Sequence, residues 1–440
     1  MFHWVKTRFL QDTSRRTLIR QGITAMLLKF CGIAGSYIFL LMITKNFGTE
    51  GWGKFSLAIS FVMFCILIGK SGFDMALLKF SSANEAKNER FLTREIYFKG
   101  IIFCLLISTI LTLIILFFSE KIAIILFKKE YMADFLFYSA MLIVLHVVLL
   151  VNSEGLRGLK KNNTYLFIQY IGIYLFACLA LILFLSFNEG NDILPLQVFI
   201  FGSFLVFLMS NYFWLKEIIF VKSEKKAAFP LKDILKVSFP MFVGNAMFVT
   251  LNWIDTLLLG VYGIHESEIG IYSAALKVAG IISLPILAVS AILASSVSEQ
   301  FTLGNKEKLQ RIVRDSTRII FAASLLIYLL YLLFPSLFLG LLGEEFTKGS
   351  TVLIILSTGF LARAFTGCTD IILQMTNHER IFQNIIVGAT ILNLLLNIIL
   401  IPYLGITGSA IASLVSSCFW NFTAVYYIKK RLSIKSIFTI

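Results

Sequence analysis

Long apolar runs return again and again along this chain, each close to the length of helix that crosses a bilayer. A hydrocarbon slab of about 30 Å needs roughly 20 consecutive apolar residues in a helix. Windows bounded by charges and turn residues predict such helices over 22–44, 55–78, 96–118, 134–151, 164–187 and 195–215. After a basic connector they resume over 238–262, 271–297, 317–342, 351–374, 383–401 and 407–428. In 440 residues this leaves only short connections and no room for a soluble domain. With 58% hydrophobic residues and a mean hydropathy of +0.86, a water-soluble globule is excluded. The fold class expected is an all-α integral membrane protein with about 12 transmembrane helices.

The distribution of basic residues orients these spans. Of 39 lysines and arginines, 29 fall on the side of the N-terminus under this assignment. Six (Lys45, Lys54, Lys121, Lys128, Lys129 and Lys348) fall on the other side, and four lie within spans. Positive residues crowd cytoplasmic loops, so both termini are expected in the cytoplasm. The organisation that follows is a basic segment (1–21), a six-helix bundle (22–215), a connector (216–237), a second six-helix bundle (238–428) and a tail (429–440), the last three beginning on the cytoplasmic side. Val5 and Phe9, set among Lys6, Arg8 and Arg15, suggest a short surface helix on an anionic leaflet, or else a solvated tail. The apolar run that follows continues for a full span without a small-residue cleavage site, so no signal peptide is expected. The net charge of +14 is spread over many membrane-flanking segments, which excludes a nucleic-acid surface. The six cysteines sit inside apolar runs without metal-ligand spacing, so no metal, redox centre or other cofactor is expected.

The two halves repeat. Residues 53–56 (GKFS) reappear 217 positions later as 270–273 (GIYS), each followed by a span, and the same shift carries 155–163 onto 372–380. Six spans per half return the chain to its starting face, so two pseudo-symmetric bundles about an axis along the membrane normal are expected, with a central cavity between them.

Seven ionisable residues fall inside the predicted spans: Lys29, Lys70, Asp74, Asp255, Lys277, Arg363 and Asp370. At the bilayer centre each costs roughly 2.5–3.5 kcal/mol on insertion scales, so each should have a partner or face a wet cavity. Arg363 is the deepest, about 18 Å from either end of its span at 1.5 Å per residue. Its possible partner Asp370 is two helical turns away, which favours a ligand as its role. Lys70 and Asp74, at i and i+4, either neutralise each other or line the lumen. Lys29 and Lys277 either face the lumen or reach headgroups. Lys29, Gly32 and Ser36 share one helical face, as do Asn245, Asn252, Asp255 and Thr256, and both faces read as lumen walls. Asn393 and Asn397, one turn apart, serve equally well as interhelical glue. Arg363, Lys29, Lys70, Lys277, Asn245 and Asn252 are therefore the candidate substrate-binding residues, and Asp74, Asp255 and Asp370 the candidate ion-coupling ones. Pro285 should kink its span, whereas Pro240 falls in the first turn of its own, where a missing N–H is harmless.

Residues 43–62 (ITKNFGTEGWGKFSLAISFV) resemble the segment joining the first two spans of polysaccharide-unit flippases. Residues 376–417 are similar to that family's eleventh and twelfth spans, and 253–260 (WIDTLLLG) with 269–280 (IGIYSAALKVAG) match as well. The family belongs to the multidrug, oligosaccharidyl-lipid and polysaccharide exporter superfamily. The resemblance implies two six-helix bundles and a flippase that moves a polyprenyl-pyrophosphate-linked oligosaccharide repeat unit. Transport would run from the cytoplasmic to the outer leaflet of a bacterial inner membrane by alternating access, for O-antigen, lipopolysaccharide or capsule biosynthesis. It also implies a polysaccharide polymerase and a chain-length regulator as partners, and cationic cavity residues whose role Arg363 and the three lysines would fill.

Three rivals remain at this level. A drug-cation antiporter would use the acidic groups, and a peptidoglycan-precursor flippase would use the same cations. A membrane polymerase or ligase would need a long outer loop, and the longest outer connection, 119–133, is short. No nucleotide-binding loop or paired-carboxylate motif appears, so an enzyme is not expected.

Overall fold

The computed structural model describes residues 13–186, 191–219 and 230–438, and every regular element among them is helical. Lipid offers no water to satisfy backbone N–H and C=O groups, so an apolar chain of this kind must pair them within helices. The first half comprises α1 (Thr13–Lys70), α2 (Phe73–Ala86), α3 (Arg90–Ile122), α4 (Met132–Gly158), α5 (Asn162–Leu166), α6 (Gly172–Leu185) and α7 (Leu194–Ile218). The second comprises α8 (Leu231–Val261), α9 (Glu266–Ala279), α10 (Leu284–Thr302), α11 (Lys306–Leu333), α12 (Pro335–Gly340), α13 (Ser350–Thr366), α14 (Thr369–Met375) and α15 (Glu379–Leu432). The surface segment expected around Val5 and Phe9 lies outside the described residues, as do 220–229 of the connector.

Among the described residues, ten helical stretches are long and apolar enough to cross a bilayer, and two of them are of double length, Thr24–Lys70 with 47 residues and Glu379–Leu432 with 54. Each turns at a glycine with positive φ, Gly48 (65°) and Gly405 (55°), a conformation that costs a side-chain-bearing residue dearly. Read as two spans apiece, they carry the total from ten to twelve.

The repeat has a physical counterpart. A Cβ on Gly53 would sit 1.9 Å from the carbonyl oxygen of Glu266, and one on Gly270 would sit 1.9 Å from that of Thr49. Ser273 Oγ donates to Ser56 Oγ at 3.1 Å. Both pairs are separated by 217 positions, the period of the repeat. Equivalent residues of two repeats meet only near the axis that relates them, so the pseudo-two-fold axis passes through this glycine crossing. Small residues let the two backbones touch, as at close helix crossings in membranes.

Polar bonds reinforce this end. Lys129 Nζ lies 2.5 Å from Glu266 Oε1, the Tyr131 hydroxyl donates to the same oxygen, and Thr49 Oγ1 donates to Glu345 Oε2 at 2.9 Å. A second backbone approach joins the halves at Gly72, whose Cβ would meet the Ser238 carbonyl at 2.4 Å and the Phe242 nitrogen at 2.6 Å. One apolar core accordingly runs through the first half and the glycine crossing, taking in Leu57, Leu259, Tyr272 and Leu353. A smaller separate core joins α10, α11, α13, α14 and α15 around Val297, Val313, Ala364 and Ile428.

Four local features differ from the sequence expectation or extend it. The helix carrying Pro240 begins at Leu231, so the proline lies inside α8 and not in its first turn. Pro285 kinks its span as expected: a 3-10 turn over Gly280–Ser283 interrupts it and α10 restarts with the proline in its first turn. The span expected over 55–78 breaks at Ser71 and Gly72, both at positive φ. The span expected to run unbroken over 351–374 stops at Thr366, breaks at Gly367 (φ 76°) and resumes at Thr369.

The glycine crossing predicts that a Ser56→Cys/Ser273→Cys pair forms a disulfide on mild oxidation in membranes, read as altered electrophoretic mobility. Adding Gly270→Ala should reduce the yield several-fold, because the new methyl cannot share space with the Thr49 carbonyl.

Candidate functional site

A cavity of about 460 Å³ opens between the halves and is walled chiefly by the second. The first span of α1 contributes Ile33, Ser36 and Tyr37. Across from it stand Asn252 and Asp255 of α8, Lys277 of α9, Arg363 of α13, Asp370 of α14, and Ser413 and Trp420 of α15. Four ionisable side chains therefore share one chamber, two of each sign, and each is held differently.

Arg363 and Asp370 form a pair, with Nη2 3.3 Å from Oδ2. In an unbroken helix a separation of seven residues puts two such groups about 10 Å apart along the axis. The helix breaks at Gly367 between them, so the spacing of an unbroken helix does not apply, and this is why the sequence argument underestimated the pairing. Both side chains keep about a quarter of their surface exposed (29% and 23%), and the guanidinium lies over the Trp420 ring with its carbon 5.4 Å from the centroid. The remaining guanidinium donors face the chamber with one aromatic face behind them.

Asp255 is buried at 3% exposure, and among the described residues its hydrogen-bond partners are neutral. It accepts from Asn397 Nδ2 at 2.7 Å, from the Tyr272 hydroxyl at 2.8 Å and from the Ser413 hydroxyl. Asn397 is fixed in turn by Ser409, whose hydroxyl donates to its Oδ1 at 2.8 Å, and Asn393 lies beside it. A buried carboxylate stripped of water is tolerated when neutral donors surround it, and the price of its charge falls further once a cation or proton joins it.

Lys277 has no carboxylate within ion-pair distance among the described residues. Its Nζ donates to the Ser36 carbonyl at 3.0 Å and stands over three rings: Trp52 (5.3 Å to the centroid), Tyr174 (5.6 Å) and Tyr37 (5.9 Å). The Tyr37 hydroxyl also donates to the Lys277 carbonyl, which locks the two spans together. The expectation that Lys277 might reach a headgroup gives way to an aromatic cage inside the protein.

The other sequence candidates lie elsewhere. Lys70 and Asp74 bond to each other at 2.6 Å, both buried, across the Ser71–Gly72 break; Asp74 Oδ1 has no hydrogen-bond partner among the described residues. Lys29 stands over the Tyr170 ring at 5.7 Å in the first half, away from the chamber walls. Asn245 is half-buried on α8 and does not line the chamber, whereas Asn252 does, with its amide donating to the Phe248 carbonyl at 2.7 Å. Sequence reasoning missed the rings around Lys277 and the Trp420 platform, because aromatics are abundant throughout and carry no local signal. Ser409 and Ser413, one turn apart in an apolar span, were a legible stripe that went unread.

Comparison with known proteins places this architecture. A stretch covering 49% of this chain is 26% identical to the probable low-salt glycan biosynthesis flippase Agl15 of Haloferax volcanii, and spans 45% of that relative, so less than half of its length is matched. The fold resembles that of a multidrug resistance MATE family transporter of the MOP superfamily in its inward-facing conformation (TM-score 0.75, 14% identity, 94% of this chain and 98% of that one). It also resembles the lipid II flippase MurJ in an inward closed conformation (TM-score 0.74, 16% identity, 93% and 87%). Residues 240–399 match the MatE family. Residues 18–297, well over half of the chain, match the polysaccharide biosynthesis protein family, and the chain belongs to that family.

Proposed function

We propose that this protein is a flippase that carries a polyprenyl-pyrophosphate-linked oligosaccharide from the cytoplasmic to the outer leaflet by alternating access, without covalent chemistry. The observation that carries this reading is Lys277, a cation kept inside the membrane without a carboxylate to neutralise it. Such a group is costly unless an anion visits it. The family assignment and the named function of the Haloferax relative support the same substrate class. A bacterial inner membrane, an O-antigen or capsule product, and a polymerase with its chain-length regulator as partners belong to this proposal too.

The geometry suggests a division of labour. Lys277 supplies a point charge, and Arg363, over the Trp420 ring, presents a planar fork suited to two phosphate oxygens. The oligosaccharide would occupy the chamber while the polyprenyl tail stays in lipid. With Asp255 and Asp370 both ionised, the four charged groups of the chamber cancel. Neutralising Asp255 with a proton or a sodium ion leaves one net positive charge for the pyrophosphate, so ion and substrate would favour each other's binding. Alternating access would part the halves in turn at the two close approaches, the Gly53–Gly270 crossing and the contact of Gly72 with Ser238 and Phe242.

Two predictions follow from these roles. Arg363→Lys keeps charge but loses the fork, and should slow flipping of a fluorescent lipid-linked oligosaccharide in proteoliposomes by about tenfold, the worth of one good charge-assisted bond. Lys277→Gln should slow it at least as much, and cells carrying either variant should accumulate the undecorated polymer's lipid-linked precursor; wild-type rates in both would sink the reading.

Asp255→Asn mimics the neutral carboxyl. It should retain affinity for the lipid-linked pyrophosphate and abolish the dependence of transport on pH or sodium. Retention of the wild-type ion dependence would move coupling to another carboxylate.

A further inference from the structure

Beyond the cavity, the chain after α15 does something that a solvated tail would not. Ser433 turns it with φ 57°, and it then runs extended along α11. Burial alternates with the period of a strand: Ile434 (2% exposed) and Ser436 (0%) point in, while Ser433 and Lys435 stay exposed. Gln310 grips the segment from both sides, donating from Nε2 to the Lys435 carbonyl at 2.8 Å and accepting from the Lys435 N–H at 2.7 Å. Thr317 Oγ1 donates to the Ser436 carbonyl at 3.1 Å. The Phe438 ring packs on Phe321, with centroids 4.6 Å apart, and on Phe365 at 6.4 Å. These anchors climb from Gln310 to Phe321, about 16 Å along α11 at 1.5 Å per residue.

The upper end of this segment meets the helix break that carries Arg363 and Asp370. In a continuous helix the Phe365 carbonyl would accept from the N–H of Thr369, but that amide instead turns back to Gly367 at 2.9 Å. The Phe438 N–H takes the orphaned carbonyl at 3.0 Å. Thr317, which donates to the segment, also fills the space where a side chain on Gly367 would go, with its Oγ1 2.3 Å from the position of that Cβ. Ile434 belongs to the same small core as Ala364, Ile372 and Leu373, on either side of the break.

We infer that residues 434–438 form a strap that fixes the Gly367 break and thereby positions Arg363 against Asp370. The strap touches neither chamber nor ligand; it acts through the break, as a positioning element. Its consequence for ligand binding rests on the pyrophosphate reading above, whereas the strap itself does not.

The test compares the full chain in lipid nanodiscs with a chain ended after Ser433 and with full-length Gln310→Leu, which removes both glutamine bonds to the strap. Amide hydrogen exchange over residues 363–372 should quicken at least about tenfold in the shortened chain and in the same direction, by less, in Gln310→Leu. Peptides containing Gly53 and Gly270 should exchange as before. Unchanged exchange at the break, or faster exchange everywhere, overturns the strap. Binding of a short-chain polyprenyl pyrophosphate should weaken several-fold in the shortened chain, and shortening should add nothing further in an Asp370→Asn background. Additive losses overturn positioning through the Arg363–Asp370 pair. If the full chain fails to bind the probe, the pyrophosphate reading falls and the exchange result alone decides the strap.

Discussion

Two bare backbones crossing at Gly53 and Gly270 are the constraint on which the rest of the molecule depends. With carbonyl oxygens 1.9 Å from where either Cβ would stand, no other residue fits without parting the halves. Because the crossing lies on the pseudo-two-fold axis, one contact serves both repeats, and the Ser56–Ser273 bond beside it has the same property. The halves meet a second time at Gly72, against the Ser238 carbonyl and the Phe242 nitrogen, so the chamber lies between two close backbone approaches. The chamber exists because the crossing is tight, and the Lys129–Glu266 pair and the Thr49–Glu345 bond add polar closure that is reversible in a way that apolar packing is not.

Inside the chamber, charge is managed by three different means, and the differences suit different tasks. The Arg363–Asp370 pair is neutral as a unit and partly exposed, so an incoming anion can compete for the guanidinium at modest cost. Asp255 is surrounded by hydroxyl and amide donors, which stabilise its charge without cancelling it. Lys277 is stabilised by ring faces and one carbonyl, which hold a cation but leave its field directed into the chamber. A site built only to hold helices together would have paired Asp255 with Lys277, since a buried ion pair leaves neither charge uncompensated.

The spans, the repeat and most of the chamber-lining charges were legible in the sequence because they follow from one-dimensional periodicity: apolar length, a 217-residue shift and helical faces. Asn252, Asp255, Lys277, Arg363 and Asp370 all reach the chamber. What periodicity could not give was the interruption of a helix. Treating 351–374 as one helix set Arg363 and Asp370 two turns apart, whereas the helix breaks at Gly367 between them and the two are in contact. The same blindness made Pro240 a first-turn residue, since the polar start of α8 from Leu231 to Val237 does not read as membrane helix. The rings around Lys277 come from three different spans, a convergence that no local pattern encodes.

The breaks and the charges are not independent. Lys70 and Asp74 flank the break at Ser71–Gly72, Lys277 stands just before the 3-10 turn at Gly280–Ser283, and Arg363 and Asp370 flank Gly367. An intact helix spends its carbonyls on its own amides, whereas a break frees backbone dipoles and shortens the path between side chains on either side of it. Five of the seven charges expected within the membrane lie beside or near a break; Lys29 and Asp255 sit in unbroken stretches, Lys29 over the Tyr170 ring and Asp255 among side-chain donors that replace the backbone as its solvent. Breaks of this kind are also where a helix bends at least cost. Most of the positions that solvate these charges are thus also positions at which a helix bends at low cost.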